Sequence, residues 1–362
     1  MSYQAILLTS FGGPESPEEV APFLERVTAG RGVPRERLVE VSRHYLALGG
    51  VSPINAQNRS LRTQIQSSLV ERGIELPVYL GNRNSAPFFT DVLKQIYADG
   101  HRKILSLVTS AYSSYSGCRQ YRENLAQALS ETELTGKLEI HKIRHYFDHP
   151  GFIEPFSQGL ASAIRELLSE GFLTSEIEIF FTTHSIPISM AESSGPPNRR
   201  LEFNNGVYVA QHSAAATCVM ESVQTTLEYL LPAWSLVYQS RSGSPTTPWL
   251  EPDIGRAIEL SAGCGKKAIV IVPIGFTSDH VEVIWDLDHE AKEIAANLAL
   301  RFIRVSTPGV AKNFIEAIAD LVAERMGGAE SKALSALGPW PDFCPKECCP
   351  NARKELPTIA EG

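Results

Sequence analysis

Sparse cysteine, no surplus of basic charge and no long apolar run set the first limits on this chain of 362 residues. Six cysteines in so long a sequence are too few to staple a small secreted scaffold, so the fold must rest on a buried core. Lys and Arg number 33 against 41 Asp and Glu, a formal charge of −8, which argues against the basic footprint that displaces phosphate counterions from nucleic acid. The longest apolar run, 268–276, falls well short of the roughly 20 residues that span a bilayer. The opening residues have no basic segment and too short an apolar stretch for a secretory signal, so a cytoplasmic protein is expected. What is present is globular material: 43% hydrophobic residues and 20% charged suffice to fill the cores of two domains of about 150 residues each. No internal repeat and no low-complexity block is evident.

Short runs rich in Val, Ile and Leu alternate with amphipathic stretches. Strands are expected at 5–9, 78–80, 104–108, 138–143, 177–181, 235–238, 268–272 and 302–305, with helical patterns at 87–98, 152–168, 281–298 and 310–326 between or after them. Ser16-Pro17-Glu18-Glu19 carries a helix start: a capping residue, proline in the first position and Glu three residues on. Gly49-Gly50 ends a helix, and another opens at Pro53. Continuous apolar strands separated by helices imply an α/β fold of two doubly wound, Rossmann-like parallel-sheet domains with a cleft between them. The expected division is 1–132, 133–308, and a C-terminal helix and Cys-bearing tail, 309–362, that packs back on the first domain.

Ligands of such sheets sit beyond the carboxyl ends of the strands. Three exits carry chemistry. The run Ile179–Pro187 puts His184 where the sheet opens, and an imidazole there is either structural or a proton acceptor. A second run, Ile269–Glu282, leads into a helix whose Asp279, Glu282, Asp286, His289 and Glu293 fall on one face at helical spacing. Oxygen and imidazole donors in a row suit passage of a hard or borderline cation, whereas the same row is also a solvated acidic face, and Asp279-x-x-Glu282 is a capping-box pattern. For Asp279 the cap is the better reading. The third exit, Ser110–Cys118, is rich in hydroxyls.

Phe181-Thr-Thr-His184-Ser-Ile-Pro187 together with Phe276-Thr-Ser-Asp-His-Val-Glu282 resembles the signature pair of ferrochelatases, which insert Fe2+ into a porphyrin. Leu8-Thr-Ser-Phe-Gly-Gly-Pro14, Leu48-Gly-Gly-Val-Ser-Pro-Ile54, and Tyr238-Gln-Ser-Arg241 before Pro248-Trp-Leu250 extend the likeness over about 3–326. The closest resemblance is to actinobacterial, coproporphyrin-using members whose tail holds a [2Fe–2S] cluster. It implies His184 as proton acceptor or metal-side residue, with Glu282 as its partner or metal guide. It also implies propionate contacts from Arg31, Tyr45, Ser52 and Tyr121. Each of these four also has a plain structural reading, as surface charge, half-buried tyrosine or helix cap. One departure is Phe11, where many relatives in the coproporphyrin branch carry tyrosine: a phenyl ring cannot ligate a metal, although it can stack on the macrocycle. Coproporphyrin III is the favoured substrate and protoporphyrin IX the alternative. A cobalt or nickel chelatase and a non-catalytic haem or iron carrier are the competing readings, with Glu282 favouring iron over cobalt or nickel.

Cys344-Pro-Lys-Glu-Cys348-Cys349-Pro bunches three thiols, and a [2Fe–2S] cluster takes four ligands. By resemblance Cys118 is the fourth; a zinc site or reduced thiols in a frayed tail remain open. Cys218 and Cys264 read as ordinary small residues. A monomer making passing contacts with neighbouring haem-pathway enzymes is expected.

Overall fold

The computed structural model describes residues 2–359 except 31, 32, 34, 201 and 243–245. All eight expected strands form, with ends displaced by a few residues at most: β1 (Ala5–Ser10), β2 (Val78–Asn82), β3 (Lys103–Val108), β4 (Glu139–Lys142), β5 (Ile177–His184), β6 (Ala233–Gln239), β7 (Ala268–Val272) and β8 (Arg301–Arg304). They pair in parallel as two four-stranded sheets, β2-β1-β3-β4 and β6-β5-β7-β8, so one order is used twice. The two-sheet α/β architecture is the expected one. β1 and β7 are buried along their whole length, which is why Ala5–Leu8 and Ala268–Val272 read as continuous apolar runs, while the buried Thr9 and Ser10 that end β1 are hydrogen-bonded to the Leu107 carbonyl and the Asn58 amide.

Two local expectations need correction. The break at 132/133 would cut β4 from its own sheet, because Ile140 and Lys142 pair with Ile104 and Ser106 of β3. At the first helix, Pro17–Thr28, proline does occupy the opening turn, yet the Ser16 side chain makes no capping bond. The Glu19 carboxylate instead accepts from the backbone N–H of Glu15, at 2.9 Å.

Helix Lys312–Arg325 lies across two others. Phe314 meets Phe152 of helix Pro150–Ser169 with ring centroids 5.9 Å apart. On helix Ile54–Glu71, Ser68 donates to Glu316 at 2.9 Å, and Arg72, just past its end, pairs with Asp320 at 2.6 Å. Beyond it, no strand or helix forms among the described residues of the tail. Trp340 anchors that segment, fully buried edge-on against Phe147 and capped by the Arg199 guanidinium 4.5 Å from its ring centroid.

The carboxyl ends of the sheets abut. Tyr112 Oη donates to the Ile274 carbonyl at 2.8 Å, and Thr277 Oγ1 to the Thr109 carbonyl at 3.1 Å, tying the exit of β3 to the exit of β7. Phe11, which follows β1, shares an apolar cluster with Phe23, Tyr45 and Val281, so the first strand exit also faces the helix that opens at Val281.

Candidate active site

Both sheets reverse their winding between their two central strands, and a crevice forms outside such a reversal. In the second sheet the central strands are β5 and β7, and His184 is the last residue of β5. Its Nδ1 lies 2.5 Å from the Ser185 carbonyl oxygen. A carbonyl only accepts, so Nδ1 carries a hydrogen and Nε2 is the nitrogen left to face outward. That nitrogen stands 3.8 Å from Glu282 Oε2, at the start of the helix after β7, with side-chain exposures of 34% and 45%. The separation is too long for a hydrogen bond, and both groups remain open to a third species between or beside them.

The backbone of His184 is held from below. Tyr208 Oη donates to the His184 carbonyl at 2.8 Å and lies 2.8 Å from Thr183 Oγ1, which in turn lies 2.9 Å from His212 Nε2. His212 Nδ1 is 2.7 Å from the Tyr208 carbonyl, and burial pushes the imidazole down to about 3, so the ring is neutral. His212 Nδ1–H goes to a carbonyl, while Nε2 and the His184 carbonyl only accept, so the two hydroxyl protons of Thr183 and Tyr208 are shared over three contacts, the 2.8 Å one between their own oxygens included. The His212 ring stacks on Tyr112 with centroids 3.5 Å apart, joining this network to the contact between the sheets.

Gly275 makes that network possible. A Cβ at Gly275 would lie 2.2 Å from Thr183 Oγ1 and 2.8 Å from its Cα. Gly275→Ala is therefore expected to destabilise the fold by about 1–3 kcal/mol through overpacking, read as a lower urea midpoint at unchanged slope.

The acidic row differs from its sequence reading. Asp279 does not cap: it accepts from Arg304 Nη1 and Nη2 at 3.2 and 3.1 Å and from Thr307 Oγ1 at 3.0 Å, an ion-pair anchor. The residue at the cap position is His280, whose side chain makes no capping bond. Residues Ile284–Ala291 wind as a π-helix, closing i→i+5 turns, so the 3.6-residue register does not carry through. Asp286 faces the charges of both Glu282 and Glu290, its neighbours four residues before and after. His289 turns aside to stack on Trp285, whose Nε1 donates to Glu290 at 2.8 Å, and Glu293 is exposed. Trp285 also stacks on His44 of helix Arg35–Ala47, with centroids 4.2 Å apart across the cleft.

Burial, with the Glu282 and Glu290 charges adding to it, pushes Asp286 up to about 7 against the hydrogen bonds from Ser240 and Gln239. A folded-state value above the unfolded one means the native chain holds the extra proton, so stability falls as pH rises from about 4 to 7. Asp286→Asn should remove this component: the melting temperature of the variant should gain on wild type from pH 5 to pH 8, with little difference at pH 4.

The remaining predicted residues scatter over the opposite wall. Tyr45 is buried against Phe23, and burial, then the Glu282 and Asp286 charges, push its phenol above the usual range, so its hydroxyl faces the acidic row. Ser52 is buried, its N–H donating to the Pro14 carbonyl at 2.8 Å. Tyr121 is buried in the core of the first sheet. Phe11 is half-buried, edge-on to Phe23. Arg31 lies outside the described residues. Sequence reasoning missed Arg83, whose guanidinium sits 5.5 Å from the Phe11 ring and 4.7 Å from that of Tyr121. It follows β2 directly, so the strand-exit rule pointed at it, although no motif marked it.

Away from this cleft, Cys118, Cys344, Cys348 and Cys349 form one buried cluster without a disulfide. Cys118 and Cys348 donate to Cys344, and those bonds draw the Cys344 thiol well below its ordinary pKa. Cys349 Sγ lies 3.8 Å from Cys348 Sγ and accepts from the Gly195 N–H at 3.1 Å. Cys218 is an ordinary core residue and Cys264 is exposed. No group of three or more His, Cys, Asp or Glu among the described residues is spaced to hold a metal ion.

An imidazole and a carboxylate thus stand side by side at the switch point of one of two abutting doubly wound sheets. Comparison with known proteins places the chain. The ferrochelatase family profile matches residues 3–326, and the chain belongs to the ferrochelatase family. It is 50% identical to the coproporphyrin III ferrochelatase of Streptomyces coelicolor, over 99% of this chain and 96% of that one. To the coproporphyrin III ferrochelatase of Leifsonia xyli it is 48% identical, over 98% and 92% respectively. Among solved structures, SirB from Bacillus subtilis with Fe3+ aligns with 90% of this chain and 98% of its own at 10% identity and a TM-score of 0.48, too loose a likeness to argue from.

Proposed function

We propose that this chain inserts Fe2+ into coproporphyrin III, with His184 Nε2 accepting pyrrole protons and Glu282 steadying the imidazolium and guiding the cation. The observation that carries the reading is the 3.8 Å approach of His184 Nε2 to Glu282 Oε2, two half-buried groups from different strand exits, in a chain of this family. Two N–H protons must leave a stiff, flat ring as the cation enters, so the ring has to be bound distorted, and propionate contacts offset that cost. An imidazole suits proton uptake near neutral pH. Glu282, Asp286 and Glu290 together offer carboxylate oxygens to a partly dehydrated cation, which fits iron supplied from outside.

On the opposite wall Phe11 supplies an apolar face, with Arg83 beside it as a propionate partner in addition to Tyr45, Ser52 and Tyr121. The guanidinium is a cationic group on that wall, and its fork matches a carboxylate. Coproporphyrin has four propionates and protoporphyrin two, so anaerobic turnover of both rings with Fe2+ tests the substrate. Coproporphyrin III is expected to be converted with the higher kcat/KM. Equal or reversed preference overturns that choice, and binding without loss of the free-porphyrin spectrum overturns the enzyme reading in favour of a carrier.

A [2Fe–2S] cluster at Cys118, Cys344, Cys348 and Cys349 belongs to the same reading. What supports it is the makeup of the pocket, four buried thiols beside a buried lysine and two buried arginines, rather than a preset ligand shell. Bound there, such a cluster supplies a one-electron centre. A cytoplasmic monomer completes the proposal; no helix among the described residues is long and apolar enough to cross a membrane.

A further inference from the structure

Lys142 ends β4, the edge strand of the first sheet, and only 8% of it is exposed. Its Nζ is buried and finds no hydrogen-bond acceptor among the described residues. An ammonium is strongly hydrated in water, and burying one without an acceptor is among the costliest things a fold can do. The groups whose negative charge it would meet are Cys344, Cys118 and Cys348.

Arg122 repeats the pattern from helix Gln120–Glu131. It is 2% exposed, and Nη2 donates to the carbonyls of Cys344 and Ile359 at 3.2 and 3.5 Å and to Thr358 Oγ1 at 3.3 Å, while Nε and Nη1 have no acceptor. His145 Nε2, buried beside them, is also unpartnered. The buried carboxylate nearby, Glu123, is already taken by Arg119 at 2.9 Å and by Tyr115 and Asn351. Three side chains with unsatisfied nitrogens therefore lie beside the four cysteines, more than the lowered thiol of Cys344 can satisfy alone. A four-thiolate iron–sulfur centre is anionic in both oxidation states, so it can.

We infer that Lys142 is the counter-charge of the centre at Cys118, Cys344, Cys348 and Cys349, raising its reduction potential and helping to retain it. The inference rests on the cluster reading above. Reduction adds an electron to an already anionic centre, and a fixed ammonium against its sulfurs favours the reduced form, whereas Arg122 is tied mainly to tail carbonyls. Lys142 thus acts on the cluster from the first sheet, although all but one of the ligands come from the tail.

The test uses the full chain purified without air. Iron and acid-labile sulfide are counted per chain, and the cluster is titrated with dithionite and mediators while its EPR signal is followed. Lys142→Met keeps the length of the side chain and removes the charge. The expected result is a folded variant, by circular dichroism, whose midpoint moves to more negative potential, with Lys142→Arg returning toward wild type. Lys142→Gln is titrated in the same way in case the Met variant loses its cluster. Loss of iron and sulfide from both neutral variants, with retention in Lys142→Arg, also supports the role. A loaded neutral variant with an unmoved midpoint overturns the inference and leaves the cluster standing. A wild-type chain with neither iron nor sulfide removes the cluster reading and this inference with it.

Discussion

His184→Ala is expected to lower kcat for Fe2+ insertion by about 10²- to 10⁴-fold while leaving porphyrin affinity close to wild type. The split follows from what the ring touches. Its one hydrogen bond goes to the adjacent Ser185 carbonyl, and a third of the side chain is open to the cleft, so its removal strips no buried contact from the fold. The His184 carbonyl stays pinned by Tyr208, which keeps the strand end in place. Glu282→Gln should cost less in kcat and more in apparent affinity for Fe2+, since it removes a charge beside the proton acceptor but leaves the acceptor itself. An anaerobic assay of free-porphyrin absorbance gives kcat, and quenching of porphyrin fluorescence gives binding. Turnover near the wild-type rate in the Ala variant would remove His184 from the mechanism.

How far the sequence reveals this site depends on the range of the interactions involved. Parallel strands buried on both faces carry their signal in a few consecutive residues, so Ala268–Val272 is legible to the residue. The repeated strand order is not, because pairing order is set by contacts between elements far apart, and the two halves share no motif that would reveal it. His184 and Glu282 are singled out by the strand-exit rule and by family resemblance together; spacing alone leaves both with structural readings. Asp279 was misread because a capping box and an ion-pair anchor look alike until Arg304, 25 positions on, is placed against it. The acidic row failed for another reason. A 3.6-residue period was carried through Ile284–Ala291, where the chain winds as a π-helix and His289 stacks on Trp285, and Glu290, the i+4 neighbour of Asp286, was passed over. Nothing local in Ile-Trp-Asp-Leu-Asp-His-Glu-Ala announces that change. Arg83 stood at a strand exit without a motif, and only its place between two aromatic rings distinguishes it.

Cys344→Ser is expected to abolish the visible absorption of the anaerobically purified chain, to bring iron and sulfide near zero, and to lower the melting temperature by several degrees. Cys344 is the hub of the thiol cluster: both Cys118 and Cys348 donate to its sulfur, and Arg122 holds its carbonyl. A serine keeps the size and the hydrogen bonds but is a poor ligand for iron, so the variant separates packing from metal binding. Binding energy that exists only in the folded chain is folding energy, and its loss should appear in the melt. Cys264→Ser, at an exposed thiol, serves as the control and should change nothing. Retained absorption in the Cys344 variant would refute the ligand set, and a colourless wild type holding one zinc would refute the cluster. Insertion activity should suffer less than stability. The tail reaches the half that carries His184 at Gly195–Arg200, through the Cys349 N–H to the Gly195 carbonyl at 3.3 Å, the return bond to Cys349 Sγ, and Arg199 and Arg200 on Trp340, Leu337 and Glu347, all at least eleven residues past His184. The Tyr208–Thr183–His212 chain that holds the His184 end of β5 contains no tail residue. Loosening the tail therefore acts first on the cohesion of the two halves and only through them on the imidazole.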